Sequence, residues 1–158
     1  MTQERRTDLD VTDRRLLALL QRDATLTAEA LGRELALSPS QAGRRRARLE
    51  AAGVIRATVA RLDPARLGLG VQAFVQVQMA SHEPRVARAF LRLLEAEARV
   101  ASVWTLTGDA DYLLRIWCDD LRSLNALIQD VLLPHVAVAR VQSRIVMAQP
   151  KSDGPLPV

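Results

Sequence analysis

Lysine, cysteine and histidine are almost missing from this chain of 158 residues. Lys151 is the only lysine, Cys118 the only cysteine, and His82 and His135 the only histidines. One cysteine excludes an internal disulfide and a cysteine metal cluster. Without a matching Cys/His/Asn set, Cys118 reads as a small buried hydrophobe rather than a nucleophile. Histidine is the residue type suited to acid/base work near neutral pH, and the two here fall by a predicted loop and ahead of the last predicted strand, so acid/base catalysis finds no support. No HxxxH or CxxC spacing marks a metal site and no glycine-rich loop marks a phosphate site. Neither a metal nor a cofactor is therefore expected. No apolar run approaches the ~20 residues of a membrane span. The start, MTQERRTDLD, has no apolar signal segment. The expectation is a cytoplasmic protein with no membrane partner.

What is there is arginine. The net charge is +4, too small for a generally basic coat protein. Its distribution is uneven: residues 1–64 hold 12 Arg against 9 Asp and Glu, and residues 65–149 hold 9 Arg against 8. The excess lies in the N-terminal part. The length allows one or two small domains with a real core.

Leu37 to Ile55, LSPSQAGRRRARLEAAGVI, concentrates that charge. Ser38 has the chemistry of a helix N-cap, and Pro39 suits the first helical position, where its missing N–H costs nothing. Gly53 suits the C-terminal cap. At 100° per residue, Gln41, Arg44, Arg45 and Arg48 share one helix face, and Ala42 and Leu49 share the opposite one. Such a run is either a solvated helix face or a face that reads a duplex. Arginine pairs bidentately with guanine or phosphate, and glutamine with adenine.

The preceding residues favour the duplex. Leu9, Leu16, Leu17 and Leu20 form an apolar helical stripe with Asp10, Thr12 or Asp13 at its start. Thr27 begins a second helix that runs to about Leu35, with Leu31 and Leu35 on one side. Two or three residues then separate it from Ser38. Helix, tight turn and arginine helix make a helix-turn-helix, whose second helix enters the major groove. Val54 to Leu62 alternates enough for a short strand or wing. Asp63-Pro64, Gly68 and Gly70 mark a joint.

The second half begins with Val71–Met79, VQAFVQVQM. Its strict alternation predicts an antiparallel strand with one core face, and a Gln/Phe face that is exposed or meets a partner. Helices over 84–99 and 121–133 and strands over 100–107, 112–118 and 136–147 complete a βαββαβ order, the ferredoxin-like split. Trp104 and Trp117 fall on strands, where large aromatics serve core or interface. The fold class is thus α+β: an N-terminal winged helix-turn-helix domain (1–62), a linker (63–70), a C-terminal ferredoxin-like domain (71–148) and a flexible tail (149–158). Between the second and third strands lies TGDADY, Thr107 to Tyr112. By its residues it is either a plain hairpin turn or a ligand loop. In the second case its carboxylates meet an ammonium group and the amides near Gly108 meet a carboxylate.

In order and spacing, the stretch LDVTDRRLLALLQRDATLTAEALGRELALS together with Leu37–Ile55 resembles the Lrp/AsnC family, the feast/famine amino-acid-responsive transcription regulators. The βαββαβ half agrees with that family's RAM-type domain. The resemblance implies a sequence-specific regulator of double-stranded DNA. Gln41, Arg44 and Arg45 would face base edges, with Ser40 and Arg48 near phosphates and Ser38 at the helix start. It implies an amino-acid effector bound at Thr107, Gly108, Asp109, Asp111 and Tyr112 in a cleft between dimers, and homodimers assembling further, commonly to octamers. Tetrapyrrole decarboxylases of the sirohaem type share the layout, and a nucleoid-like DNA organiser is a third reading. The chain departs from the family pattern in three places. Arg46 replaces an apolar residue and is expected to snorkel or pair with Glu50; Gly43 lies inside the helix, at a cost of ~1 kcal/mol relative to alanine; Val136-Ala137 replaces a Pro-Gly pair before the last strand.

Overall fold

The structure, a computed structural model, describes residues 7–152 and 154–158. The first six residues of the N-terminal domain expected over 1–62 fall outside the described residues. The chain divides into two compact units, residues 1–61 with 151–158 and residues 62–150.

Three capped helices build the first unit. Helix α1 (Val11–Arg22) starts in a capping box: Asp13 N–H donates to Asp10 Oδ1 (2.7 Å) and Asp10 N–H to Asp13 Oδ2 (3.2 Å). Helix α2 (Ala28–Leu35) starts at Thr27, whose Oγ1 accepts the Ala30 N–H. It ends at Ala36 in the left-handed region, φ +56°. Helix α3 (Pro39–Ala51) starts at Ser38 and is followed by Gly53 at φ +71°. The joint between α2 and α3 is tight. A Cβ on Gly32 would stand 2.7 Å from the Leu37 carbonyl oxygen, so the chain passes where no side chain fits. Leu16, Leu17, Leu35 and Leu49 form the core between the helices. At ~1.5–3 kcal/mol for each buried leucine, they are its main support.

Two expectations for this unit are corrected. Residues 56–63 form no strand, and most are exposed; the domain is a helix-turn-helix without the expected wing. A strand needs a neighbouring ladder, and among the described residues none lies beside it; the exposed amides are left to water. The tail is not free either. Leu156 N–H donates to Gln21 Oε1 (2.6 Å), Gln21 Nε2 donates back to the Leu156 carbonyl (3.1 Å), and Leu156 and Val158 line a groove with Leu17, Leu20 and Ile55. The sequence pattern missed this because main-chain bonds to one glutamine need no apolar periodicity.

The second unit is a four-stranded antiparallel sheet of order β2-β3-β1-β4, from strands β1 (Val71–Met79), β2 (Val100–Thr105), β3 (Tyr112–Cys118) and β4 (Val138–Ile145). With helices α4 (Pro84–Ala96) and α5 (Leu121–Ala126), this is the ferredoxin-like βαββαβ order. Ala73, Val75, Val77 and Met79 are buried, as the alternation of β1 predicts. They join Leu114 and Ile116 of β3 and Phe90, Leu94, Leu124 and Leu127 from the helices in one core. Helix α4 stops three residues before the expected end, because Glu97 turns extended and is forked by Arg99 (2.8 Å on each oxygen). After Ala126 the last helix widens into a π-helical segment, Leu127–Leu132. The turn lacking Pro-Gly is built by His135: its Nδ1 accepts the Ala137 N–H (3.1 Å) and its carbonyl accepts the Val138 N–H. Among the described residues no helix is long and apolar enough to cross a membrane, and no group of three or more His, Cys, Asp or Glu could hold a metal ion.

Candidate DNA interface and effector cleft

Helix α3 presents its charge in a way that the helical wheel did not show. Arg44 is exposed and has no partner among the described residues. Arg45 and Arg48 are committed to α1. Arg45 Nη1 donates to Asp10 Oδ2 (2.6 Å) and to Asp13 Oδ1 (2.8 Å), and Arg48 Nη2 donates to Asp13 Oδ2. The Asp13 side chain is only 1% exposed. Burial alone raises its carboxyl pKa, but the bonds from Arg48, Arg45 and the Asp10 amide prevail and hold it below the ordinary 3.8. Asp10 is also lowered, chiefly by the Asp13 amide and then by Arg45.

Gln41 and Arg45, expected at base edges, each hold an internal bond. Gln41 Oε1 accepts from the Ser38 N–H (3.0 Å) and the Ser38 hydroxyl (3.1 Å), completing the capping box of α3. A bidentate grip on adenine needs that oxygen. Ser38 itself is the N-cap, accepting the Gln41 N–H, and Ser40 lies 3.2 Å from it, hydroxyl to hydroxyl. Both serines are exposed at the N-terminal end of α3, where free amides and the helix dipole favour a phosphate. Arg46 does pair with Glu50, Nε to Oε1 2.9 Å, as its spacing predicts.

The second unit carries a polar cleft of about 320 Å³ where the β2–β3 loop overhangs β1 and β4. Thr107, Asp109 and Ala110 come from the loop, Gln76 and Gln78 from β1, and Arg140, Gln142 and Arg144 from β4. The register places Gln76 opposite Gln142 and Gln78 opposite Arg140, on the sheet face away from the core. Gly108 turns the loop at φ +107°, a conformation that a side chain would strain. The cleft holds two guanidiniums, one carboxylate and three amides, a set that fits a carboxylate and an ammonium together.

Of the five residues expected at this site, Thr107 and Asp109 line the cleft and Gly108 shapes it. Asp111 and Tyr112 do not line it. Asp111 Oδ2 accepts the Met79 N–H (2.7 Å), its N–H donates to the Val77 carbonyl, and its Oδ1 stands 3.7 Å from His82 Nδ1. Its carboxylate pins the loop to the end of β1. Tyr112 opens β3 with its side chain in the core, its ring 5.9 Å from that of Phe90. A six-residue motif cannot separate such roles, because strand alternation sends neighbours to opposite faces. Arg140, Gln142 and Arg144 were missed. Their signal was the alternate spacing along β4, legible only once that face was known to be the uncovered one.

Comparison with known proteins gives two family matches: the AsnC-type helix-turn-helix domain over residues 9–50 and the Lrp/AsnC ligand binding domain over residues 72–156. The chain is 33% identical over 150 residues to the DNA-binding transcriptional activator DecR of Escherichia coli, covering 95% of this chain and 99% of that one. It is 34% identical to the glutamate uptake regulatory protein of Zymomonas mobilis, covering 95% and 91%. Among solved structures it is similar to the transcriptional regulator NMB0573 of Neisseria meningitidis in complex with L-Met, with TM-score 0.90 and 35% identity, covering 95% of this chain and 97% of that one.

Proposed function

The chain belongs to the Lrp/AsnC family of DNA-binding transcriptional regulators, and we propose that it recognises its operators through α3 and adjusts that recognition to an amino acid held in the cleft of its second unit. The observation that carries this reading is the pairing, in one chain, of a doubly capped helix bearing the exposed Arg44, which has no partner among the described residues, with a cleft suited to a zwitterion. On the DNA side, Arg44 reads a base edge or a phosphate, and Ser38, Ser40 and the exposed edge of Arg48 take phosphates. Arg45 and Gln41 contribute after giving up an internal bond. On the effector side, Arg140 or Arg144 takes the carboxylate and Asp109 the ammonium. The L-Met of the Neisseria relative supports an amino acid in that role.

The protein works as a homodimer, which pairs further toward an octamer. The helix-free sheet face supports this: it carries Phe74, Leu113, Trp117 and the 41% exposed Trp104, a large apolar area for a monomer to leave in water. Two recognition helices per dimer then suit a pseudo-palindromic site. We place the action in the cytoplasm, with residues 1–62 as the DNA-binding domain, 63–70 as linker and 71–148 as the oligomerisation and effector domain.

The test is selection of genomic fragments by the purified chain, with and without a pool of amino acids. The expected result is a small set of fragments with paired half-sites, whose retention shifts when one amino acid is present. Equal retention of all fragments would make the protein a DNA organiser instead. A coloured macrocycle on the purified chain, with no retained DNA, would turn the reading to a tetrapyrrole enzyme.

A further inference from the structure

The DNA face of the first unit carries its own counter-charges. A depression of about 490 Å³ is lined by Asp8, Asp10 and Asp13 together with Arg44, Arg45 and Arg48. The formal charges cancel. The two ion pairs of Arg45 differ in kind. Asp13 is enclosed and its bonds to Arg45 and Arg48 tie α1 to α3. Asp10 sits at the rim with its side chain 52% exposed and shares Arg45 Nη1 with Asp13, on a guanidinium that is itself 30% exposed. That is the geometry of an exchangeable pair, because water and a phosphate oxygen can both compete for it.

The geometry points to Asp10, assisted by Asp8, as a specificity-determining carboxylate that withholds Arg45 from the phosphates of random DNA. The inference rests on the reading of α3 as the DNA-contacting helix. Its physical basis is that random-sequence binding is supplied almost wholly by phosphate neutralisation. A phosphate that approaches Arg45 must displace Asp10 Oδ2 or lie beside it as a like charge. On a cognate site, base contacts through Arg44 offset that cost. On a random site nothing does. The carboxylates thus act against the wrong partner rather than for the right one.

The capping role of Asp10 makes the test clean. Asn and Ser cap helices about as well as Asp, so Asp10→Asn and Asp10→Ser both remove the charge and keep the cap of α1. Binding of the full chain is measured by fluorescence anisotropy on a selected genomic fragment and on a scrambled duplex, between 50 and 200 mM salt, about the range in which phosphate contacts reveal themselves. We expect both variants to bind the scrambled duplex about three- to tenfold more tightly at the low-salt end, and the slope of log K against log salt to steepen by about 1. The selected fragment should gain less, so the specificity ratio falls. Adding Asp8→Asn should extend the effect in the same direction. Unchanged scrambled-duplex affinity and slope in both cap-competent variants would overturn the inference, and so would a loss of affinity on both duplexes. Arg44→Ala separates this from the reading beneath it. If Arg44→Ala weakens binding while the Asp10 variants leave it unmoved, only the counter-charge role fails. If Arg44→Ala has no effect on either duplex, α3 is not the DNA-contacting helix and both fall.

Discussion

Replacing Asp13 by Asn is the sharpest probe of the first unit. The substitution keeps size and shape and changes one oxygen into an amino group. The Asp13 carboxylate takes Arg45 on one oxygen, and Arg48 and the Asp10 N–H on the other. Asparagine can serve one of these sides and must turn a donor toward a donor on the other. Two charge-assisted bonds are at stake, each contributing about 1.5–3 kcal/mol when enclosed. The arginine side chains are 30% and 49% exposed, so they recover hydration when released. That discount brings the expected loss to about 2–4 kcal/mol. At about 4–8 °C per kcal/mol for a domain of this size, the transition of the first unit should fall by roughly 10–30 °C. Amide hydrogen exchange at the buried Leu16 and Leu49 localises the loss, and thermal unfolding of the full chain gives its size. Acid supplies the sign. The native Asp13 pKa lies below its ordinary value. Its contribution is therefore whole above the unfolded pKa of about 4 and is lost as pH falls through the depressed native one. The gap between parent and variant must close on acidification. A melting point within 2 °C of the parent, or a gap that stays constant from neutral pH down to about pH 3, would refute the reasoning.

Four further outcomes are expected. Gly32→Ala should cost about 2–4 kcal/mol in a denaturant titration, because the new Cβ meets the Leu37 carbonyl oxygen at 2.7 Å and backbone must move; a loss below about 1 kcal/mol would show that the turn is looser than described. Gly108→Ala meets open space, so it should cost only the strain of φ +107°, about 1–3 kcal/mol, and should weaken amino-acid binding in calorimetry. Asp109→Ala should weaken amino-acid binding about tenfold or more by removing the carboxylate that lines the cleft; unchanged affinity would take the effector elsewhere. Arg46→Met should stay within about 1 kcal/mol of the parent by chemical denaturation, since its partner Glu50 is 44% exposed and its bond to the Leu26 carbonyl is long, 3.4 Å.

Much of this molecule was legible in its sequence where the governing interaction is local. Ser38 and Pro39 announced the start of α3, and Thr27 that of α2, because a cap is satisfied within three residues. The alternation of β1 announced which side meets the core. Arg46 and Glu50 lie one helical turn apart, and their pairing followed. What was not legible depends on elements meeting. Arg45 and Arg48 find Asp13 across 32 and 35 residues, and only the crossing of α1 and α3 brings them together. The same limit applies to the loop motif, where Asp111 and Asp109 look alike in sequence. One reaches the end of β1 and the other the cleft. The wing was expected from alternation alone, yet a strand exists only where a second strand receives its hydrogen bonds.

The seat of the last residues changes how the chain should be cut. Residues 151–158 group with residues 1–61, although everything between belongs to the sheet unit. In topological terms the sheet unit is an insertion, and the helix-turn-helix unit is discontinuous, completed by residues 151–158. A truncation after Pro150, or a bulky fusion placed behind Val158, would spare the sheet and disturb the unit that meets DNA. A fragment ending at residue 62 would lack the peptide that Gln21 grips from both sides.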